Sequence, residues 1–468
     1  MANELIRKTA GDLAVGYEKG DFTPVEVARA VFDRIEAVDG RLNAFRLLDR
    51  EGAMAAAARS ADRWQQGAPL SPIDGVPTSI KDLFAIKGMN SRKGSLTTPE
   101  TPDPVDAPTV TRLKDAGAVI LGKTTTPEFG WKGITDSPAT GTTRNPWNTD
   151  RTPGGSSGGA SAAAAAEMGV LHLGTDGGGS IRIPAAFAGV FGHKPSFGRV
   201  PYFPPSPMGT LAHAGPLTRT VADAVLMLNV MSGEDTQDWY TQPSADIHLG
   251  ALSGGVKGMK VAFSPRLGHA RVDPEVAASV AAAARLFAEL GAEVDECDPF
   301  TDDPVGIFNT LWQSGAYGAL RNLAPEQHAK LDPGLAKVLD DARSISLGDY
   351  MDAQRDRAAF SSAVKVFMSK YDLLLTPSLS VPAFGVDRLV PEGWPEDAPN
   401  SWVGWTPFSY PFNLTQQPAC SIPCGFTKDG LPIGLQIVGR MFDDATVLRA
   451  AQAYEDANPL HRHHRPEL

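Results

Sequence analysis

The sequence predicts an α/β protein built on a central mixed β-sheet with helices on both faces. Three observations predict this fold class. Short apolar segments typical of strands alternate with amphipathic or alanine-rich segments typical of helices. Glycine follows several of the helical segments, as it does at many helix ends. No internal repeat or Gly/Ser-rich linker divides the 468 residues, so we expect one domain over 1–468, in which a helical segment at 1–65 packs on the core.

The first well-marked helix is predicted over residues 24–38. Thr23 and Glu26 have the spacing of a capping box, and Pro24 stands at the first helical position. The valine and isoleucine residues of the segment recur at helical spacing and form one apolar face. We therefore expect a helix that packs against the outside of the core.

The remaining elements alternate along the chain. The predicted strands are 76–81, 118–121, 170–174, 259–263 and 293–297, and the predicted helices are 108–116, 156–168 and 273–290. Repeated β-α-β units favour a largely parallel or mixed sheet. Two segments rich in proline and aromatic residues, 201–207 and 376–405, are predicted to be long surface loops, which often build substrate pockets.

The composition excludes several classes of function. The formal net charge is -11 and no run of Lys or Arg is longer than a pair, so neither nucleic acid nor a membrane is expected as a partner. The N-terminus has no signal-peptide pattern, and the longest apolar run, 53–58, is too short to span a bilayer, so a cytoplasmic location is expected. Three cysteines do not indicate a disulfide framework. The histidine-rich tail 461–465 could bind a metal, but a solvated terminus is expected.

The first of three segments with candidate catalytic residues ends in Lys81. This lysine closes the strand predicted over 76–81, which holds no other charge. Burial disfavours the ammonium form and lowers the pKa of a lysine, and a neutral lysine can act as a general base. The alternative is a lysine that reaches solvent or pairs with Asp82.

The second segment holds Ser156 and Ser157 between two pairs of glycines. Glycines allow backbone conformations closed to other residues and let another chain approach closely. No Lys-Ser/Thr pair follows them, so the pattern of a phosphate-binding loop is not met. Gly155, Ser157 and Gly159 match the G-x-S-x-G pattern of the nucleophile elbow in α/β-hydrolases. A plain glycine-rich turn before a helix is the other alternative.

The third segment places Gly177, Gly178 and Gly179 directly before Ser180. A run of glycines leaves several backbone N–H groups unshielded. Such donors can hold the oxyanion that forms when a serine attacks a carbonyl group. A flexible strand-to-helix turn is the alternative interpretation.

Together and in this order, the three segments resemble the amidase signature family. That family shows a lysine-ended strand, a Gly-Gly-Ser-Ser-Gly-Gly segment and a G-T-D-x-G-G-S-I-R segment. The distance from Ser156 to Ser180, 180 - 156 = 24 residues, is similar to the family spacing. The resemblance extends over most of the chain, for example over 106–114, 192–196 and 430–436. It implies the amidase signature fold, amide hydrolysis, and no requirement for a metal or an organic cofactor.

The resemblance also implies a role for each residue of a Ser-Ser-Lys triad. Ser180 would be the nucleophile that forms an acyl-enzyme, Ser156 would relay the proton, and Lys81 would be the base that starts neutral. In the family, the peptide bond before the relay serine, here Gly155-Ser156, is cis. A proton returned through Ser156 would assist the departure of a poor leaving group, which suits amides.

The same resemblance assigns supporting residues. The backbone N–H groups of Gly177, Gly178, Gly179 and Ser180 would form the oxyanion hole. Ser157 would support the lysine through a hydrogen bond, and an ion pair of Asp176 with Arg182 would shape the loop. Gly177 departs from the family pattern, which usually has a larger residue there, and this puts the loop's geometry in doubt.

Two rival functions stay open. The first is the glutamine-hydrolysing A subunit of a tRNA-dependent amidotransferase, in which an acidic residue recognises the glutamine amine. Thr406 stands at that place and no carboxylate lies between residues 401 and 413, which is evidence against it. The second is a Ser-His-Asp hydrolase that uses Ser157, with its histidine drawn from His193, His213, His248 and His269. A catalytically inactive binding module is disfavoured because all three triad positions are filled.

Aromatic residues cluster in the predicted loops and favour an apolar substrate. Trp131, Trp312, Trp405 and Tyr410 are predicted to bind it, and the substrate is expected to be a small aryl or alkyl amide such as an anilide. The alternative is that several of these rings are core packing. A homodimer is expected because it is common among soluble enzymes.

Overall fold

The computed structural model describes residues 2–243, 245–396, 400–460 and 464–468. Its strands are β1 (Phe45–Leu48), β2 (Pro77–Lys81), β3 (Val119–Thr124), β4 (Asp136–Ser137), β5 (Gly141–Thr142), β6 (Leu171–Asp176), β7 (Phe191–Lys194), β8 (His213–Thr218), β9 (Lys260–Phe263), β10 (Glu293–Glu296), β11 (Leu373–Pro377), β12 (Ala419–Phe426) and β13 (Pro432–Gly439). Within the described chain, one sheet has the strand order β1-β3-β2-β6-β8-β7-β12-β13-β11-β9-β10, and β4 pairs with β5 apart from it.

The helices surround this sheet. They are α1 (Ala2–Leu5), α2 (Ala10–Lys19), α3 (Pro24–Leu42), α4 (Arg50–Gln65), α5 (Pro108–Asp115), α6 (Gly158–Ala165), α7 (Arg182–Ala188), α8 (Val221–Met231), α9 (Pro274–Glu289), α10 (Val305–Leu320), α11 (Pro325–His328), α12 (Pro333–Ala342), α13 (Leu347–Met368), α14 (Pro411–Leu414) and α15 (Asp444–Ala457). Among the described residues, every helix is too short or too polar to span a lipid bilayer.

Alternate residues of β3 show that helices cover both faces of the sheet. Ile120 belongs to a buried cluster that includes residues of α5, α8 and α9. Its neighbours Val119 and Leu121 belong to another cluster, with residues of α3, α4 and α6. Successive side chains of a strand point to opposite faces, so each face has its own apolar cluster. The sheet contains both parallel and antiparallel pairs, which confirms the predicted α/β class with a mixed sheet.

Helix α3 forms with the predicted cap and runs further than predicted. The Thr23 hydroxyl accepts a hydrogen bond from the Glu26 N–H, and the Glu26 carboxylate accepts one from the Thr23 N–H. The helix passes the predicted end at residue 38 and stops at Leu42. Asn43 then takes a left-handed conformation with φ of 54°. The additional turn buries Leu42 in the cluster beneath α3 and α4.

Two strands are longer and one helix is shorter than predicted. Strand β3 continues to Thr124 and β6 continues to Asp176, whereas α6 begins at Gly158 and ends at Ala165. Local hydrophobic patterning misses the ends of both strands because they carry polar side chains, which are buried. Predicted ends elsewhere differ by one residue, as in α5, α9, β9 and β10.

The sheet brings the candidate catalytic segments to one edge. Strand β2 runs parallel to β6, with Thr78 opposite Leu171 and Ile80 opposite Leu173. Lys81 and Asp176 therefore end neighbouring strands on the same side. Of the segments predicted as loops and tail, residues 397–399 and 461–463 lie outside the described residues.

Candidate active site

Three hydroxyl groups surround the amine of Lys81. The Nζ atom lies 2.7 Å from Ser156 Oγ, 2.9 Å from Ser157 Oγ and 2.8 Å from Thr175 Oγ1. All four residues are buried. The parallel ends of β2 and β6 place Lys81 beside Thr175, and the turn before α6 supplies the two serines.

The surroundings of Lys81 favour its neutral form. Burial lowers the pKa of Lys81 well below the usual value, and the negative charge of Asp176 opposes that shift only in part. Asp82 does not pair with Lys81, because its carboxylate lies 3.3 Å from Lys123 Nζ and 2.9 Å from Arg46 Nε. A buried amine without a carboxylate partner loses hydration and gains little in return, so it binds a proton weakly.

The turn that carries the serines requires glycine. The Gly155-Ser156 peptide bond is cis. A Cβ atom at Gly155 would lie 2.4 Å from the carbonyl oxygen of Ile134, so no side chain fits there. Ser157 Oγ also accepts a hydrogen bond from the Thr175 N–H, at 3.2 Å. This contact ties the serine turn to the end of β6.

An ion pair organises the loop between β6 and α7. Arg182 donates hydrogen bonds of 2.9 and 3.0 Å to the two carboxylate oxygens of Asp176. Burial alone would raise the pKa of Asp176, but the charge and hydrogen bonds of Arg182, with help from Lys194 and Asn413, lower it far below its usual value. The structure thus brings together the two residues predicted to pair, both fully buried.

The Asp176 carboxylate also changes the predicted set of oxyanion donors. It accepts hydrogen bonds from the Gly179 N–H at 2.8 Å and from the Ile181 N–H at 3.2 Å. The Gly179 N–H is therefore occupied, contrary to its predicted role. In the described part of the chain, the N–H groups of Gly177, Gly178 and Ser180 donate to no hydrogen-bond acceptor. These three remain available to a ligand.

Both candidate serines open into one pocket of about 170 Å³. Gly177, Thr175 and Trp312 line it with Ser156 and Ser180. Its remaining walls are Leu83, Lys93, Phe129, Gly130, Tyr202, Ala212 and the segment 204–208. Across the described residues, no hydrogen bond joins Ser156 to Ser180. Hydrogen bonds between catalytic groups are often long before a substrate binds. The relation between the two serines is therefore shown by the pocket that they share.

Trp312 lies directly against the loop before Ser180. A Cβ atom at Gly177 would lie 3.0 Å from Cζ3 of Trp312, so the missing side chain makes room for the indole ring. Phe308 stacks on that ring with centroids 5.3 Å apart. The glycine at position 177, where the family usually has a larger residue, thus leaves space that aromatic side chains of α10 fill.

Three of the four aromatic residues predicted to bind substrate lie outside this pocket. Trp405 stacks on Phe187 with centroids 5.7 Å apart, and Tyr410 donates a hydrogen bond of 2.5 Å to Asp303. Trp131 is buried and packs where Gly334 leaves room for it. All three belong to a buried apolar cluster. The structure therefore does not place these three beside the pocket, whereas Trp312, which belongs to the same cluster, also lines the pocket, and its contact with substrate stays a prediction.

The residues that sequence reasoning missed are of two kinds. Thr175 stands one position before Asp176, and the parallel pairing of β2 with β6 could have indicated that it faces Lys81. Lys93 and Phe129 come from segments with no local pattern that points to a pocket, whereas Met208 directly follows the predicted loop 201–207, of which residues 204–207 line the pocket. Their position depends on contacts between distant segments.

The histidines proposed for a Ser-His-Asp hydrolase lie elsewhere. His193 Nε2 lies 3.0 Å from Asp444 Oδ1, and Nδ1 of His213 lies 2.9 Å from the Leu211 carbonyl oxygen. His269 bonds to the Leu267 carbonyl oxygen, and the exposed His248 forms no hydrogen bond with Ser157. Among the described residues, Ser157 contacts Lys81 and Thr175 instead of a histidine. The described residues also contain no group of His, Cys, Asp and Glu arranged to hold a metal.

The sheet and the serine-rich turns at its edge define an amidase signature fold. A solved bacterial aryl acylamidase of the amidase signature enzymes superposes with a TM-score of 0.89 at 31% identity, over 97% of this chain and 96% of that one. A family model described as Amidase matches residues 26–448, so the chain belongs to the amidase family. It is an enzyme that hydrolyses amides.

Curated relatives divide between two activities. An acylamidase of Rhodococcus erythropolis is 38% identical over 96% of this chain and 95% of its own length. The A subunit of the glutamyl-tRNA(Gln) amidotransferase from Myxococcus xanthus is 36% identical over 99% of this chain and 100% of its own length. Both similarities extend over nearly the whole chain, so they establish the family and leave the substrate as a separate question.

Proposed function

We propose that the chain hydrolyses the C–N bond of small aryl or alkyl amides, including anilides, through an acyl-enzyme on Ser180. Ser156 relays protons and Lys81 is the general base. The observation that carries the proposal is the buried amine of Lys81, which lies 2.7 Å from Ser156 Oγ and has no carboxylate partner. A neutral amine in that place can accept a proton through a hydroxyl group at neutral pH.

In the acylation step, Ser180 Oγ attacks the carbonyl carbon of the amide. Its proton passes to Ser156 Oγ while the Ser156 proton passes to Lys81 Nζ. The carbonyl π electrons move to oxygen, and the N–H groups of Gly177, Gly178 and Ser180 stabilise the resulting oxyanion. Donors that are already oriented need no rearrangement when the charge appears.

The leaving amine requires the proton that Lys81 has stored. As the C–N bond breaks, Lys81 returns this proton through Ser156 to the nitrogen. An amide nitrogen leaves poorly as an anion, so acid assistance is essential. A water molecule then attacks the acyl-enzyme and gives one proton to Lys81 through Ser156. As the bond between the acyl carbon and Ser180 Oγ breaks, Lys81 returns that proton through Ser156 to Ser180 Oγ, which releases the carboxylic acid and restores both residues.

The lining of the pocket supports an aryl or alkyl substrate. Leu83, Phe129, Met208 and Trp312 present apolar surface beside Ser180. Apolar walls with a few polar groups suit apolar ligands. The similarity to an acylamidase points in the same direction. Esters are a further expected substrate class, because the acyl-enzyme route accepts an alkoxide leaving group.

Glutamine hydrolysis within an amidotransferase is the second candidate, because a relative of that name matches over its full length. Thr406 weighs against it. Its side chain is buried and donates to the Val403 carbonyl oxygen, so it offers no negative charge to an ammonium group.

We further propose that the chain forms a homodimer in the cytoplasm. We propose no nucleic acid or membrane partner, in keeping with the net charge of -11. Light scattering of the purified chain tests the dimer.

Purified enzyme without any partner protein tests the function. We expect hydrolysis of para-nitroacetanilide, no glutaminase activity, and covalent labelling by a fluorophosphonate probe that is lost in Ser180→Ala. Rates of Ser180→Ala and Lys81→Ala should fall by about a thousandfold or more. Ser161→Ala is the matched control, because this buried hydroxyl donates to the Gly158 carbonyl oxygen within α6. Full turnover by Ser180→Ala, or glutaminase activity without anilide hydrolysis, would refute the proposal.

A further inference from the structure

Two pocket residues share an uncommon backbone conformation. Lys93 has φ of 51° and Phe129 has φ of 52°, values that residues other than glycine rarely adopt. The Phe129 N–H donates a hydrogen bond of 2.7 Å to the Lys93 carbonyl oxygen, so the two residues form one wall. Backbone conformations of this kind persist where the surroundings enforce them, and they concentrate at ligand sites.

The surroundings do enforce this conformation. The Lys93 N–H donates to Asp82 Oδ2 at 3.1 Å, and that carboxylate is itself buried beside Lys123 and Arg46. The next residue, Gly94, packs so closely that a Cβ atom would lie 2.6 Å from the Thr126 carbonyl oxygen. The position of Lys93 in the pocket wall is therefore held from both sides.

The ammonium group of Lys93 is left without a partner. The side chain is half-buried, and no hydrogen bond or ion pair joins its Nζ to another described residue. The chain has 54 acidic residues and 43 basic ones, yet none of the described carboxylates forms an ion pair with Lys93. Lys93 is the one basic side chain among the described residues that line the pocket.

The same wall lies beside the relay serine. Gly130 follows Phe129, and a Cβ atom at Gly130 would lie 3.3 Å from Ser156 Oγ. In the proposed mechanism Ser156 delivers the proton to the leaving nitrogen, so that nitrogen must lie next to Ser156. The wall formed by Lys93, Phe129 and Gly130 consequently borders the amine half of the substrate.

We infer that Lys93 is a specificity-determining residue that binds a carboxylate on the amine half of the substrate, while Phe129 contacts the apolar part of that half. The substrate class is then an N-acylated amine that carries a carboxylate, such as an N-acyl aminobenzoate or an N-acyl amino acid. This inference rests on the proposed function, which supplies the direction of the leaving group. A charge-assisted contact in a partly desolvated pocket is strong enough to select among such amides.

The test compares three anilides: para-acetamidobenzoate with its charge on the amine half, succinanilate with its charge on the acyl half, and neutral para-acetamidoacetophenone. We expect the parent enzyme to prefer para-acetamidobenzoate to the ketone. In Lys93→Met this preference should fall about tenfold, mainly through KM, as expected for one charge-assisted contact. Lys93→Arg should keep it, and Lys87→Met, at an exposed lysine outside the pocket, should leave it unchanged.

The outcomes separate the inference from the proposed function. Hydrolysis of the ketone anilide that depends on Ser180, with an unchanged preference in Lys93→Met, would overturn the inference and leave the function standing. A larger effect on succinanilate than on para-acetamidobenzoate would also overturn it. Binding of para-aminobenzoate to the Ser180→Ala protein provides a readout without turnover. That binding should weaken about tenfold when Lys93→Met is added, and equal binding would refute the inference.

Discussion

Thr175 Oγ1 lies 2.8 Å from the amine of Lys81, and the two residues lie at the ends of neighbouring parallel strands. This hydroxyl joins those of Ser156 and Ser157 around the same nitrogen. The amine of Lys81 is therefore bound by a residue of β6 as well as by the serine turn. Thr175, which is outside the proposed triad, helps to orient the lone pair of this amine.

Replacing Thr175 with valine should slow the reaction without weakening substrate binding. The change removes one acceptor for the protonated amine, so the pKa of Lys81 should fall further, and the amine becomes less well oriented. We expect kcat to fall about tenfold with KM little changed, and the acid limb of the pH–rate profile to move to lower pH. Thr218→Val is the control, because its buried hydroxyl bonds to the Thr220 carbonyl oxygen away from the pocket. A parent-like profile in Thr175→Val would contradict the assigned contact.

Lys81 should make activity and stability depend on pH in related ways. Its pKa is lowered in the folded chain, so kcat/KM should rise with pH as the amine loses its proton. Between the lowered folded pKa and the unfolded value near 10.4, the unfolded chain binds more protons at this site. The free energy of unfolding therefore rises with pH across that window.

Lys81→Met should consequently abolish activity while it stabilises the protein at neutral pH. Removing a buried amine that resists protonation eliminates its desolvation penalty, and we expect the Tm to rise by a few degrees. Thermal unfolding at several pH values measures this. The exposed Lys260→Met should change neither the Tm nor the activity. A lower Tm for Lys81→Met would contradict this prediction and show that the hydrogen bonds of the amine with three hydroxyl groups outweigh its desolvation penalty.

Breaking the ion pair of Asp176 with Arg182 should strongly destabilise the chain. Arg182→Met leaves the fully buried Asp176 carboxylate without its main partner, which costs about 3–5 kcal/mol in comparable buried pairs. Urea unfolding should show this loss, together with less activity because Asp176 also holds the Gly179 N–H. The exposed pair of Arg355 with Asp352 is the control, and Arg355→Met should cost at most about 1 kcal/mol. Similar losses for both variants would contradict the structural role of the buried pair.

Gly177 and Trp312 should behave as a coupled pair. Gly177→Ala places a methyl group 3.0 Å from the Trp312 ring, so either the ring or the oxyanion loop must shift. We expect kcat/KM to fall about tenfold, and Trp312→Leu to restore part of the loss when the two changes are combined. Gly40→Ala, in the open interior of α3, should instead leave activity intact and stabilise the helix. Additive effects of the two pocket changes would show that they do not interact.

Local sequence determined the features that contiguous residues encode. The capping box at Thr23, the strand ending in Lys81 and the two glycine-serine segments are each specified by a few neighbouring residues, so both the α/β class and the family could be predicted. The family resemblance that these segments carry implied the candidate roles of Ser156 and Ser180. The parallel pairing of β2 with β6 explains why those segments meet at one edge of the sheet.

Tertiary structure alone decided which aromatic rings reach the pocket and which N–H groups stay free. Trp131, Trp405, Tyr410 and Trp312 all belong to one buried apolar cluster, and of these four only Trp312 also lines the pocket. A large ring is stabilised by burial in either place, so the residue type does not distinguish them. The Gly179 N–H is not free, because the Asp176 carboxylate accepts a hydrogen bond from it. Lys93 enters the wall through contacts with residues far along the chain. The positions of these side chains depend on how distant segments pack together, and short-range patterns of residue type do not predict that packing.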